Sequence, residues 1–215
     1  MNTRIRMMLP SLLLLGGFFM QSVMADVASD VAHLQQRWAE VNYQLEGKTQ
    51  LSAFEQLVSE AEAMHKANSS SADILIWSGI IKSTFAGAKG GLGALSLAKA
   101  AKADLEAAME IDPDAMNGSA YNSLGALYYG VPGWPVGFGD DEKAEGLLQK
   151  ALSINPAGID PNYFYGDFLI GEKRYAEART YLEKALQAPA RPGRAIADAG
   201  RRMEIQEKLA EIAGK

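Results

Sequence analysis

The side chains that most often perform catalysis are few in this chain and lie far apart. The 215 residues include no cysteine and only two histidines, His33 and His65, with no cluster of carboxylates beside either one. Nucleophilic catalysis would need a serine or cysteine beside a histidine, and the sequence has no Gly-x-Ser-x-Gly turn. We therefore expect no enzyme activity, no metal site and no cofactor.

Two local patterns resemble ligand-binding loops but lack the residues that such loops need. Residues 87–93 contain four glycines and Lys89, but no serine or threonine follows the lysine as it does in a phosphate-binding loop. Asp112 and Asp114 have the spacing of calcium ligands, without the glycine and glutamate required further along. We interpret the first segment as a hinge or inter-helix loop, with an extension of either helix as the alternative. We interpret the second as a helix cap and turn.

The segment 130–141 is the most informative irregularity of the chain. It combines four glycines and two prolines with Trp134 and Phe138, so it cannot continue a helix. We predict a structured loop at the tip of a hairpin, with Asp140 or Asp141 capping the next helix. The two aromatic side chains either fold back onto the hairpin or line a ligand groove or a subunit contact.

A repeated helical-hairpin pattern must position these residues. Each copy has a glycine on its first helix and the spacing Ala-x3-Leu-x2-Ala on its second helix. Small residues at these points let two helix backbones approach closely. The copies are Gly79 with Ala101, Leu105 and Ala108; Gly125 with Ala144, Leu148 and Ala151; and Gly166 with Ala178, Leu182 and Ala185.

This pattern resembles the tetratricopeptide repeat family, whose unit is a helix–turn–helix of about 34 residues. The resemblance implies an all-α solenoid of stacked antiparallel hairpins, with about nine helices and terminal caps. We expect an N-terminal hairpin at 26–68, a degenerate repeat or cap, and three repeats at 72–115, 118–158 and 159–190. A capping helix at 191–215 should complete the stack.

The two ends of the fold have their own local signals. Ser29 is a predicted N-cap of the first helix, and Ser52 with Glu55 forms a predicted capping box at the start of the second. The last helix should keep one polar face in water: Asp198, Arg201, Arg202, Glu204, Glu207 and Lys208. We interpret the arginines at 191, 194, 201 and 202 as a solvated cluster paired with nearby acids, with an anionic partner as the alternative.

Residues 1–25 have the pattern of a secretory signal peptide. Arg4 and Arg6 precede a short apolar run, and a small-x-small site ends at Ala25. The run is too short for a stable spanning helix, and no cysteine follows it to carry a lipid. We expect cleavage and a periplasmic or secreted protein without a stable membrane anchor. Its formal charge of −5, with 26 acidic and 21 basic residues, argues against nucleic acid as a partner.

The family resemblance also implies which positions face the concave side of the solenoid. They are a mixture of apolar and polar residues that includes no lysine or arginine: Asp73, Ile76, Ile80, Ser83, Ser119, Asn122, Ala126, Tyr129, Asp160, Tyr163, Asp167 and Ile170. A clamp for a terminal carboxylate would need basic residues there. We therefore do not expect recognition of that kind.

The insert at 130–141, followed by residues 160–166, is also similar to the exported repeat proteins of the TRAP-transporter T-component family. That similarity implies a periplasmic solute-binding protein as partner. Our hypothesis is an exported adaptor or scaffold that binds another protein through Asn122, Tyr129, Trp134, Phe138, Tyr163 and Asp167. The alternatives are a carrier in which Tyr129, Trp134, Phe138 and Tyr163 enclose a small apolar ligand, and a structural homo-oligomer.

Overall fold

Nine helices make up the described part of the chain. The computed structural model describes the backbone of residues 16–215 and the side chains of 26–91 and 93–215, so the predicted signal peptide falls outside the described side chains. The helices are α1 (Gly16–Gln44), α2 (Gly47–Ala67), α3 (Ala72–Lys89), α4 (Gly91–Ile111), α5 (Ala115–Gly130), α6 (Asp141–Ile154), α7 (Ile159–Gly171), α8 (Tyr175–Leu186) and α9 (Ala195–Glu211).

Consecutive helices pair into hairpins, and the hairpins stack side by side. The pairs are α1 with α2, α3 with α4, α5 with α6, and α7 with α8, while α3, α5 and α7 contact one another in series. The turns between paired helices are short, except for the loop between α5 and α6. The predicted all-α solenoid of antiparallel hairpins is therefore confirmed.

Each of the three repeats is closed by a glycine that faces a leucine. A Cβ atom added at these glycines would lie 2.6, 2.8 and 2.8 Å from the leucine Cγ, which is too close for a side chain. The backbones therefore approach more closely than any other residue would allow. The pairs, in chain order, are Gly79 with Leu105, Gly125 with Leu148, and Gly166 with Leu182.

The predicted caps of the N-terminal hairpin are wrong. Helix α1 continues through Ser29, and α2 begins at Gly47, so Ser52 lies inside a helix. Gly47 makes the turn with a φ of +58°, a conformation that favours glycine. Gln50 then satisfies the end of α1, because its Nε2 donates to the Val41 carbonyl oxygen at 3.1 Å.

The glycine-rich segment forms a much shorter turn than the predicted loop. Helix α3 runs to Lys89 and α4 starts at Gly91, which leaves only Gly90 between them. Gly90 and Gly91 have φ values of +60° and +61°, so both use the left-handed region that glycine tolerates. The additional residues of this repeat lengthen both helices.

Helix α9 returns to the start of the solenoid. It contacts α1 and α7 as well as α8, and Gly200 lies so close to the ring of Tyr43 that no Cβ could fit. Ala197 belongs to the apolar cluster formed by α1, α2 and α3. The predicted wet face is therefore wrong for Asp198 and Arg201, both of which are buried.

We predict opposite effects of the same substitution at two helical glycines. Gly125→Ala should lower the free energy of unfolding by about 1–3 kcal/mol, because the new Cβ overpacks against Leu148. Gly146→Ala should raise it by about 0.5–1 kcal/mol, because Gly146 is an exposed helical residue with no atom within 4 Å of an added Cβ. Urea unfolding followed by circular dichroism measures both, and equal effects would contradict the crossing argument.

Candidate functional site

A cavity of about 730 Å³ lies on the inner side of the curved stack. Its walls are the inner faces of α3 and α5, the first turns of α4 and α7, and part of the loop at 130–140. The turn between α8 and α9 and the side chain of Arg201 close the remaining side. The return of α9 toward α1 thus encloses what would otherwise be an open groove.

Most of the cavity wall is apolar. Concave apolar surfaces of roughly 300–1,000 Å³ with a few polar groups are typical of small-molecule sites. The larger apolar side chains that line it are Trp38, Trp77, Ile80, Leu95, Met116, Leu127, Val131, Val136, Ile159 and Phe164.

The cavity contains only part of the predicted concave surface. Seven of the twelve predicted positions line it: Ile80, Ser83, Ser119, Asn122, Ala126, Tyr129 and Asp160. The five others do not, in part because α9 covers the third repeat. The Arg201 guanidinium lies 4.3 Å from the centre of the Tyr163 ring, and Lys208 pairs with Asp167 at 2.7 Å.

The six candidate binding residues fall into three groups. Asn122 and Tyr129 line the cavity, and the Tyr129 hydroxyl donates to Asp167 at 2.7 Å. Burial and the Asp167 carboxylate raise the pKa of Tyr129 well above its usual value. Asp167 and Tyr163 lie under α9, outside the cavity lining. Trp134 and Phe138 belong to the loop.

The loop at 130–141 is ordered by its own backbone. The Gly139 amide donates to the Pro132 carbonyl oxygen and the Asp140 amide to the Tyr128 carbonyl oxygen, each at 3.0 Å. The Asp140 side chain accepts a hydrogen bond from the Lys143 amide and caps α6. Of the two predicted caps, Asp140 and Asp141, the structure therefore selects Asp140.

The two aromatic residues of the loop have different environments. Phe138 folds back and packs edge-on against Tyr128, with ring centres 5.6 Å apart. Trp134 is 90% exposed, and Val136 beside it is 65% exposed. The loop therefore anchors itself with one aromatic side chain and leaves the other in solvent.

A network of charges closes the cavity at the end nearest α9. Asp160 bridges two arginines, accepting from Arg191 at 2.5 Å and from Arg201 at 2.9 Å. Arg191 also pairs with Asp198, and Arg201 with Glu204. Burial alone would raise the pKa of Asp160. The positive charges of Arg201 and Arg191 lower this pKa by more than burial raises it, so the carboxylate titrates below its ordinary range.

Arg194 lines the same cavity and differs from its two neighbours. It forms no ion pair within the described residues, and its buried Nε has no hydrogen-bond partner there. Its guanidinium stacks over the ring of Trp77 at 4.9 Å. Burial, and then repulsion from Arg191, lower the pKa of Arg194 to about 10, so it remains charged at neutral pH.

The sequence reasoning missed that arginines reach the inner surface. No repeat position supplies them; they come from the turn and helix that follow the last repeat. The sequence predicts that the arginines at 191, 194, 201 and 202 are solvated and paired with nearby acids, with an anionic partner as the alternative. The pairing is present for Arg191 and Arg201, but Arg201 is buried. The environment of the cluster follows from how the segment after the last repeat packs against α1 and α7.

The histidines do not contribute to this site. His33 pairs with Glu60 at 2.9 Å on the outside of the first hairpin, and neither histidine lines the cavity. Among the described residues, no group of three or more His, Asp or Glu side chains is arranged to hold a metal ion. The chemistry available in the cavity is therefore apolar contact, hydrogen bonding and positive charge.

Comparison with known proteins relates one segment of the chain to a repeat family. Residues 137–198 match the family described as tetratricopeptide repeat. The match covers 62 of the 215 residues and so concerns this segment alone. The crystal structure of a thermophilic TPR protein from Thermus thermophilus is similar, with a TM-score of 0.57, 15% sequence identity and 76% of each chain covered. At this identity the similarity concerns the tetratricopeptide repeat fold alone.

Other comparisons are more distant. The crystal structure of MamA has 17% identity and a TM-score of 0.45, and the match covers 75% of this chain and 90% of that one. No curated protein matches the chain. None of the helices in the described part combines the length and the apolar character needed to cross a membrane.

We predict that Asp160→Asn lowers the free energy of unfolding by about 3 kcal/mol at neutral pH. The change removes the carboxylate shared by Arg191 and Arg201 and leaves both cations poorly compensated. Urea denaturation measures the loss. As a control, Glu183→Gln, an exposed change on α8, should alter stability by less than about 0.5 kcal/mol.

The same carboxylate predicts a pH dependence. A pKa lowered by folding gives stability that is present above the unfolded-state pKa and is lost as the pH falls through the folded-state pKa. The difference between wild type and Asp160→Asn should therefore shrink below about pH 4, near the usual Asp pKa. A difference that stays constant from neutral pH to about pH 2 would contradict this role of Asp160.

Proposed function

We propose that the protein is an exported adaptor or scaffold that binds another protein. The tetratricopeptide repeat segment and the α-solenoid fold support a protein-binding role, because repeat stacks present extended surfaces to partners. A fold alone hosts many functions. The proposal therefore depends on one surface feature, the exposed tryptophan of the loop between α5 and α6.

The exposure of Trp134 is the observation that carries this proposal. An indole that is 90% exposed leaves most of its large apolar surface in water, and tryptophan is enriched among residues that dominate binding energy. The loop that holds it is ordered by backbone hydrogen bonds to Pro132 and Tyr128. Because the loop is already ordered, binding of a partner at Trp134 would cost little conformational entropy in the loop.

The partner that we propose is a solute-binding protein of a TRAP-type transporter, in the periplasm. Two sequence features support this choice. Residues 1–25 have the pattern of a signal peptide, and the insert at 130–141 with residues 160–166 is similar to the T-component family. The acidic balance of the chain disfavours nucleic acid as an alternative.

The alternative carrier hypothesis needed four aromatic residues to enclose an apolar ligand. The structure does not bring them together: Trp134 is exposed, Phe138 packs on Tyr128, and Tyr163 lies beneath Arg201. Of the four, only Tyr129 lines the cavity. This geometry favours the adaptor hypothesis over that form of carrier.

We predict that Trp134→Ala strongly reduces capture of the partner. Immobilised wild-type protein should retain one exported solute-binding protein from periplasmic extract, and Trp134→Ala should retain at least about tenfold less, because the main apolar anchor is lost. Met203→Ala is the matched control, since Met203 is a large apolar residue that is 53% exposed on α9. It should behave as wild type.

Three outcomes would count against the proposal. Equal capture by wild type and Trp134→Ala would show that the loop is not the contact. Failure of wild type to retain any solute-binding protein would remove the proposed partner. A wild-type dimer in size-exclusion chromatography that Trp134→Ala dissociates would assign the tryptophan to contacts between copies of this chain. Circular dichroism verifies that all variants are equally helical.

A further inference from the structure

Three residues that line the cavity each have a buried polar atom with no partner within the described residues. The atoms are Trp77 Nε1, Asn122 Oδ1 and Arg194 Nε. Trp77 is 3% exposed and Asn122 is 5% exposed. Buried polar groups in folded proteins are almost always hydrogen-bonded to protein, water or ligand. Three residues of the cavity wall therefore keep hydrogen-bonding capacity that the described protein groups do not use.

The charge at this end of the cavity indicates the sign of that group. The charged side chains in the lining are three arginines and a single carboxylate, Asp160. Asp160 is engaged by Arg191 and Arg201. Asp198 and Glu204 do not line the cavity, and they form ion pairs with the same two arginines. Arg194 is the guanidinium whose hydrogen-bonding capacity remains.

Arg194 is held rigidly enough to act as a recognition group. Its guanidinium carbon lies 4.9 Å from the centre of the Trp77 ring, and a cation–π contact of this kind restrains the side chain. Its backbone is part of the turn into α9, because its carbonyl oxygen accepts from the Asp198 amide at 2.8 Å. A planar fork fixed in this way suits a carboxylate or another oxyanion.

The rest of the wall specifies an apolar body. Away from the arginines, the cavity is bounded by Ile80 of α3, Ala98 of α4, Leu127 of α5 and Val131 of the loop. A volume of about 730 Å³ is too large for an inorganic anion alone and is within the range of small-molecule sites. The two ends of the cavity thus differ in the chemistry that they favour.

We propose that this cavity binds a small amphiphilic organic anion, with its acidic group against Arg194 and its apolar part against Ile80, Ala98 and Leu127. Binding would compensate a cation that folding has already desolvated, so the anion obtains a strong interaction without an additional desolvation cost on the protein side. The inference stands apart from the adaptor proposal, because Trp134 lies outside the cavity lining.

Two fluorescent probes with the same ring system test the proposal. Anilinonaphthalene sulfonate carries a negative charge, and N-phenylnaphthylamine is its neutral counterpart. The wild-type protein should bind both. Arg194→Gln should weaken binding of the sulfonate about tenfold or more, because a charge-assisted contact is lost, and should change binding of the neutral probe less than about twofold.

Two further variants locate the site and control for charge. Ala126→Phe should fill the cavity and weaken both probes, since Ala126 lines the wall at the middle of α5. Arg37→Gln removes the same charge from α1, where Arg37 pairs with Glu40 of its own helix, and should leave both affinities unchanged. Thermal unfolding verifies that each variant is folded.

The proposal is overturned if Arg194→Gln binds the sulfonate as tightly as the wild type does, or if Arg37→Gln weakens it equally. It is also overturned if Ala126→Phe leaves both probes bound, because they would then lie elsewhere. Absence of binding by the wild type would exclude the site. Arg194→Lys keeps the positive charge but removes the planar guanidinium. If it weakens sulfonate binding as much as Arg194→Gln does, the geometry of the guanidinium matters more than its charge alone.

Discussion

The close approach of two helices at a glycine is the constraint from which the rest of this structure follows. In each repeat the first helix offers no Cβ, and the second helix places a leucine in the vacated space. The interaxial distance is thereby fixed to the short end of the usual range. The three hairpins then stack in series, with α3, α5 and α7 in contact, and stacks of similar repeats form curved solenoids.

The two ends of the stack are in contact. Helix α9 meets α1 at Gly200 and Tyr43, where glycine again permits a contact that any side chain would prevent. An open solenoid would leave the inner faces of α3 and α5 as a groove in contact with water. The contact between α9 and α1 encloses these faces, and it places three arginines opposite helices that contain none at their inward positions.

Local sequence patterns predicted the repeats well because each hairpin is defined within about 34 residues. They were less reliable at Ser29 and Ser52, which have the composition of caps but lie inside longer helices. The site could be predicted only in part, because the environment of Arg194 depends on how the segment after the last repeat packs against α1 and α7. Asn122 was identified from repeat register and does line the cavity. Composition predicted an ordered loop, but only tertiary packing decided that Trp134 would be exposed.

The distribution of charge around the cavity supports a binding role for it. The chain has an excess of acidic residues, while the enclosed wall carries three arginines against one carboxylate. Packing alone would favour apolar residues there, since buried ion pairs are often no more stable than hydrophobic contacts of similar volume. An arginine without an ion pair costs still more, because only the Trp77 ring and the more distant charges of Asp160 and Asp198 offset its desolvation. A bound anion would offset that cost, and this is the physical reason to regard Arg194 as a recognition residue.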